Sequence, residues 1–310
     1  MTGIVRNVGV TLALLCAFLV PRADAGQLVS PAEREWAKKA VAEEKSLTAP
    51  AGKNTVAVLY FRNGTGDPAL DPMRKGIPLL LITDLSGVPA LSVIERTRLQ
   101  ALTEETELGA SGLVEAGTAP RVGKLLGARW LVGGEIAREK PTRIDLASNV
   151  ADVPAGTASG KTSAGGEIEQ LFEVEKDLLF GVLKLLDVKV SPEEEQRLRK
   201  PCSKSATALA ALFLGVDAGD RGELDKAEGY YRKALQLDPG VCIASDALKE
   251  IEAARASGAG KRSRQILKTL RDGTTLTDSL TTKEPLLRGG KPLDIPGTRT
   301  SPTDINLTFP

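Results

Sequence analysis

Histidine is absent from the 310 residues of this sequence. Its absence removes the commonest general base near neutral pH and the commonest nitrogen ligand for zinc or copper, and it excludes a Ser-His-Asp triad. An excess of one charge is lacking as well, because 41 lysine and arginine residues stand against 40 acidic ones. Nothing in the overall charge attracts nucleic acid, so no nucleic-acid partner is expected. We assign no catalytic residue, metal ligand or cofactor-binding residue.

Residues 1–25 have the features of an export signal. Arg6 precedes an apolar run over residues 8–20, and residues 23–25 (ADA) fit a signal-peptidase site. We therefore predict a cleaved signal peptide over residues 1–25 and a periplasmic location. A retained membrane anchor is the alternative, but the run is shorter than the roughly 20 residues that span a bilayer.

Alternating apolar strands and amphipathic helices predict an α/β domain over residues 54–190, after a helical lead-in over 26–53. The run TVAVLYF at 55–61 is typical of a strand buried on both faces. The later elements are helix, strand, helix, helix, strand, hairpin and helix, over 77–85, 91–95, 96–108, 119–126, 128–137, 143–164 and 167–187. Pro78 is predicted to lie in the first turn of its helix, where proline is tolerated. Together these elements predict two or three packed layers.

Three runs of this domain carry a resemblance to a known family: VAVLYFRNGTGDP, SVIERTRLQAL and ETELGASGLVEAGTAPRVGKLLGARWLVGGEI. In this order they resemble the curli assembly component CsgG and its wider family of envelope proteins, over about residues 54–190. The resemblance implies a mixed sheet flanked by helices. It also implies one of two functions, either the outer-membrane channel that secretes curli subunits or a periplasmic relative that recruits or regulates other machinery.

The channel type fits this sequence less well than the periplasmic type. A channel subunit needs two added hairpins with aromatic residues at the membrane interfaces. One candidate hairpin, 143–164, is visible in the sequence, and it has no aromatic residue. This difference favours a periplasmic relative.

The C-terminal part predicts a second, helical domain. Residues 208–241 fit the tetratricopeptide (TPR) repeat pattern. The matching positions are Ala211, Leu214, Gly215, Gly222, Ala227, Tyr231, Ala234 and Pro239. We predict a TPR-like helical hairpin plus a capping helix over 205–257, after a linker over 191–204 and before a disordered tail over 258–310. One repeat rarely buries its own face, so the hairpin either binds a peptide or braces the first domain.

Two cysteines, Cys202 and Cys242, remain after the signal peptide. An even count in an oxidising compartment fits one disulfide, although the spacing alone leaves two independent buried thiols open. In an antiparallel helix hairpin the start of the first helix lies beside the end of the second, and the two cysteines flank these points. The hairpin therefore predicts a disulfide between them.

Two short motifs are interpreted as structural. Glu95 and Arg96 stand at a strand-to-helix corner, where a recognition pair is one interpretation and a local ion pair worth under about 1 kcal/mol is the favoured one. Residues 155–162 (AGTASGKT) satisfy a relaxed Walker A pattern, but a phosphate-binding loop needs a helix that starts at its Lys-Thr. Gly165 and Gly166 delay the next helix, so a nucleotide-binding enzyme is the least favoured function.

These observations predict a periplasmic adaptor or assembly factor for an envelope or secretion complex. It is expected to have no enzymatic activity and no cofactor, and to bind envelope or secretion proteins, with a homo-oligomer as a further candidate assembly. Membrane association, at the outer membrane, is expected through these partners. A subunit of an outer-membrane secretion channel is the alternative.

Overall fold

The computed structural model describes residues 27–47, 52, 54–106 and 119–256, so the predicted signal peptide and tail lie outside the described residues. The strands are β1 Thr55–Val58, β2 Arg62–Asn63, β3 Ser92–Val93, β4 Trp130–Ala137, β5 Arg143–Asp152 and β6 Thr157–Glu167. The helices are α1 Pro31–Ala42, α2 Met73–Leu85, α3 Arg96–Thr106, α4 Ala119–Leu126, α5 Leu171–Leu185, α6 Pro192–Leu198, α7 Ala206–Asp220, α8 Leu224–Leu237 and α9 Ala244–Ala256. Short 3-10 turns cover Pro68–Leu70 and Ile168–Gln170.

The strands form one mixed sheet in the order β3-β1-β4-β5-β6, with β2 beside β4. Strand β1 runs parallel to β3 and β4, whereas β5 and β6 continue the sheet as an antiparallel hairpin. Helices α2 and α5 pack on one face, and α1, α3 and α4 contribute to the core on the other. The α/β class and the mixed sheet flanked by helices are thereby confirmed.

Helix α2 begins at Met73, earlier than predicted, so Pro78 lies in its second turn and not in its first. Proline has no N–H to donate to the carbonyl one turn before it, that of Arg74. The backbone N–H of Phe61 donates to this carbonyl instead, at 2.9 Å. The Arg74 carbonyl, which Pro78 cannot bond, is therefore satisfied from outside the helix. No local pattern in the sequence indicates this hydrogen bond.

The hairpin β5–β6 is covered on one face by α5. Gly160 and Gly166 of β6 lie against Leu185 and Val174 of α5, and the Thr162 side chain lies against Gly181. On the opposite face small and polar residues are exposed, namely Ala147, Lys161, Ser163 and Gly165. The Walker-like segment ends inside strand β6, so its Lys-Thr pair does not begin a helix.

The predicted linker over 191–204 contains helix α6. Ser191 and Glu194 form a capping box, in which each side chain accepts from the backbone N–H of the other residue. The Arg197 side chain donates to the Gly87 carbonyl at 2.6 Å and fastens α6 to the α/β domain. Part of the predicted linker is therefore a short capped helix, and Pro192 and the charged residues of this helix belong to it.

Helices α7 and α8 form an antiparallel hairpin, and α9 packs on α8. Helix α7 is apolar almost all round because it lies between α8 and α2, where Phe213 contacts Gly76. The hairpin is thus packed firmly against the α/β domain, as expected if it braces that domain, while its assignment as a TPR repeat stays a prediction. Every helix in the described part of the chain is too short or too polar to cross a membrane.

Candidate functional site

Four charged side chains form a network where the α/β domain meets the helix hairpin. This junction network consists of Lys75 on α2, Arg96 at the start of α3, and Asp217 and Asp220 near the end of α7. Arg96 Nη1 lies 3.0 and 2.9 Å from the two carboxylate oxygens of Asp220. Lys75 Nζ lies 3.0 Å from Asp220 and 3.1 Å from Asp217. Asp217 also forms an ion pair with the half-exposed Arg221, just after α7.

The partner of Arg96 is Asp220, so the predicted corner pair with Glu95 is wrong. Adjacent residues at the start of a helix point in different directions, and the Arg96 side chain enters the interior, with 1% exposed. A buried guanidinium requires a buried carboxylate, which α7 supplies. Burial by itself lowers the pKa of Arg96, but Asp220 and then Tyr60 outweigh it and raise the pKa, so Arg96 stays charged.

Neutral polar groups complete the surroundings of Arg96. Its Nη2 donates to the Gln27 carbonyl at 2.5 Å, and its Nη1 lies 3.3 Å from the Tyr60 hydroxyl, which donates to Gln100 Oε1 at 2.7 Å. Burial raises the pKa of Tyr60, so its hydroxyl stays protonated. The backbone N–H of Gln27 donates to Glu250 on α9 at 2.6 Å. The network therefore joins the N-terminal segment, the α/β domain and the helix hairpin.

The positions of the predicted TPR pattern lie mainly at the contact between α7 and α8. A Cβ atom at Gly215 would lie 2.5 Å from the Tyr231 ring, so glycine is needed for this close approach. Ala211, Gly215, Ala227, Tyr231 and Ala234 are buried, Leu214 is half-buried, Gly222 turns the chain at φ +70°, and Pro239 is exposed. The structure therefore brings the small residues together around Tyr231 and leaves Pro239 at the surface.

Cys202 and Cys242 lie together at the open end of the hairpin. Their Sγ atoms are 1.96 Å apart and their Cα atoms 4.9 Å apart, which is disulfide geometry. The backbone N–H of Cys242 also donates to the Cys202 carbonyl, at 3.2 Å. The two cysteines therefore lie as the disulfide predicted from the helix hairpin requires.

An apolar groove lies between the α/β domain and α7, and we call it the junction groove. Its walls come from the turn at 68–70, the start of α2, the start of α5 and the first half of α7. They consist of Ala69, Leu70, Pro72, Met73, Ile168, Leu171, Ala206, Ala210, Phe213 and Leu214. No local pattern in the sequence indicates this groove, because the segments that form it are far apart in the chain. It is a small, partly open apolar depression.

A buried acidic cluster lies between α2 and α5. Lys176 forms an ion pair with Asp84 and has its Nζ 3.3 Å from a carboxylate oxygen of Glu175. Glu175 is 2% exposed. Burial, and then the charge of Asp84, raises the pKa of Glu175 to about 8. At neutral pH the charged pair is therefore Asp84 with Lys176, beside a mostly protonated Glu175.

Glu175→Gln is expected to stabilise the protein increasingly as the pH rises. In the wild type the pKa of Glu175 is higher in the folded protein than in the unfolded chain. The contribution of Glu175 to stability is therefore complete below about pH 4.5 and is lost as the pH rises towards 8. Glutamine keeps the neutral shape without this loss, so its stability advantage over the wild type should grow steadily between pH 5 and 8. Denaturant unfolding of both proteins from pH 5 to about 8 measures the difference.

The matched control is Glu173→Gln on the exposed side of the same helix. This variant is expected to leave the pH dependence of unfolding unchanged. A gain from Glu175→Gln that is equal at low and high pH would contradict the protonated state of Glu175.

Comparisons with known proteins agree with part of this picture. Residues 37–139 match the family described as "Curli production assembly/transport component CsgG". A protein of Rhizobium meliloti (strain 1021) named "Putative adenylate cyclase 3" is 27% identical over 228 residues, which is 72% of this chain and 36% of that protein. The C-terminal domain of LpoB from Salmonella enterica aligns with 43% of this chain and 98% of its own, at 12% identity and a TM-score of 0.31.

The predicted resemblance to the CsgG family is confirmed for residues 37–139. The matched region starts inside α1 and ends just after β4, so it includes part of the lead-in and excludes the hairpin β5–β6. The chain spans 36% of the length of the curated relative. The activity in that relative's name belongs to that protein.

Proposed function

We propose that the protein is a non-enzymatic adaptor that helps to assemble an envelope or secretion complex by binding other proteins in the periplasm. The observation that carries this proposal is the similarity of residues 37–139 to a component described by assembly and transport. The export signal predicted for residues 1–25 and the cysteine pair support an oxidising, extracytoplasmic location.

The junction groove is the surface that we assign to partner binding. It is apolar and partly open, and two of its walls, α2 and α7, are joined by the ion pairs of Lys75 with Asp217 and Asp220. A preformed groove binds a partner's apolar side chains without the entropic cost of ordering its own walls. The outer faces of α8 and α9 are mostly charged and exposed, so they are less suited to an apolar anchor.

The alternative is a subunit of an outer-membrane secretion channel. The apolar side chains of the hairpin β5–β6, Ile144, Leu146 and Val150, pack against α5 as part of the domain core. The hairpin is therefore used in folding the domain, which favours the adaptor.

Crosslinking in living cells, followed by mass spectrometry of the captured proteins, tests the proposal. We expect the wild type to capture a distinct envelope protein and Leu214→Glu in the groove to lose it, because a carboxylate would enter an apolar surface. The matched control is Leu237→Glu, at a leucine that is 44% exposed on α8 and lies outside the groove. Thermal unfolding of both variants checks that they remain folded.

Two results would overturn the adaptor. One is a self-crosslinked ring found in the membrane fraction, which supports the channel. The other is an equal loss of capture in the folded variants Leu214→Glu and Leu237→Glu, which would mean that the partner does not bind in the groove.

A further inference from the structure

Strand β6 forms one edge of the sheet. Among the described strands its pairing partner is β5, and none of them pairs with its other side. Edge strands are usually protected by proline, by bulges or by a covering element, because an open edge pairs readily with another strand. Residues 157–167 contain no proline. The register of β6 against β5 skips Ser159, so the one irregularity in this pairing lies near the turn of the hairpin.

Beyond this irregularity β6 continues with regular pairing from Gly160 to Glu167. Its side chains alternate between two faces. Thr162, Ala164 and Gly166 lie on the face that α5 covers, whereas Lys161, Ser163, Gly165 and Glu167 lie on the open face and are exposed. Apart from the two charged residues, the side chains of this segment are small, so a second backbone can approach without a steric barrier.

The charges of this segment are symmetric about its centre. In an antiparallel pair of identical strands related by a two-fold axis at Ala164, residue 161 of one copy lies opposite residue 167 of the other. Lys161 then faces Glu167 twice, once on each side of the axis, on the same open face. Opposite charges at directly facing positions stabilise an antiparallel pair. Arg143 of β5 lies opposite Glu167 within the same chain, but its ion pair is with Asp145.

We propose that two copies of this chain join through β6, antiparallel about Ala164, so that their sheets become continuous. The occupant of this edge is a second copy and not an unrelated strand, because the segment is complementary in charge to itself in this one register. This inference goes beyond the adaptor function and does not depend on it, since the junction groove lies at α7 and stays open in either case.

A charge swap measured by sedimentation equilibrium tests the proposal. We expect the wild-type protein, without its signal peptide, to have twice the mass of one chain at high micromolar concentration. In Lys161→Glu and in Glu167→Lys, both of the Lys161–Glu167 contacts between the copies become contacts between like charges. Each variant is therefore expected to weaken the dimer at least about tenfold, or by 1.4 kcal/mol. The double variant exchanges the two charges, restores the pairs and is expected to restore the dimer.

Lys184→Glu, at an exposed lysine of α5, is the control for the change in net charge and should leave the dimer intact. Circular dichroism of all variants checks folding. A second measurement uses Ala164→Cys, because residue 164 faces its own copy at a Cα separation of about 4.5–5.5 Å, within disulfide range. This variant should form a covalent dimer on oxidation, whereas Ala147→Cys on the central strand β5 should not.

Several results would overturn the inference. A monomeric wild type would do so, as would a dimer that neither single charge variant weakens. Failure of the folded double variant to recover the dimer, or of Ala164→Cys to crosslink in a dimeric sample, would assign the contact to another surface.

Discussion

Asp220→Asn is expected to lower the free energy of unfolding by about 3–5 kcal/mol, since it leaves Arg96 buried without its counter-ion. Arg96 and Asp220 are each 1% exposed, so water cannot replace the lost carboxylate. Asparagine has nearly the same volume as aspartate, and the loss is therefore electrostatic and not a packing defect. Urea unfolding at neutral pH, followed by circular dichroism, measures it.

The matched control is Asp246→Asn on α9. Asp246 forms an ion pair with Lys249 at 2.7 Å, but both side chains are more than 70% exposed. Surface pairs of this kind contribute about 0–1 kcal/mol, so this variant should unfold almost as the wild type does. Equal losses in the two variants would contradict the structural role of the junction network.

The same substitution is expected to separate the hairpin from the α/β domain before the whole chain unfolds. Lys75 would keep Asp217 as a partner, while Arg96 would keep only neutral groups such as the Gln27 carbonyl and the Tyr60 hydroxyl. Hydrogen exchange on Asp220→Asn should therefore show faster exchange in α7–α9 than in the sheet. Uniform acceleration over both parts would mean that they unfold together.

The sequence predicted those parts of the fold that local patterns determine. The apolar run at 55–61, the hairpin and the amphipathic character of α5 follow from side-chain alternation and helical spacing, and each is found near its predicted position. Helix α2 starts at Met73 and not at residue 77, which is the predicted start because proline is ordinarily tolerated only in a first turn. The hydrogen bond from Phe61 to the Arg74 carbonyl makes proline acceptable in the second turn, and this bond comes from another part of the chain.

The buried charges could not be paired from the sequence, since 124 positions separate Arg96 from Asp220. One local signal was available. Asp217 and Asp220 are the only charged residues of α7, a helix that is otherwise almost entirely apolar. Carboxylates on such a helix indicate buried ion pairs more often than a solvated face. Glu175 gives the same kind of signal, because it lies one turn after Leu171 on the apolar stripe of α5.

Replacing Cys202 and Cys242 together by serine is expected to lower the free energy of unfolding by about 4 kcal/mol, since the bridge closes a loop with a sequence separation of 40. The bridge joins the segment before α7 to the turn after α8. Without it, a backbone hydrogen bond from Cys242 to Cys202 and a side-chain hydrogen bond from Ser203 to Asp238 join these segments. Denaturant unfolding with and without dithiothreitol measures the effect. The reductant should lower the stability of the wild type to that of the double variant and leave the variant unchanged. A wild type that unfolds identically with and without the reductant would mean that the two cysteines are independent thiols.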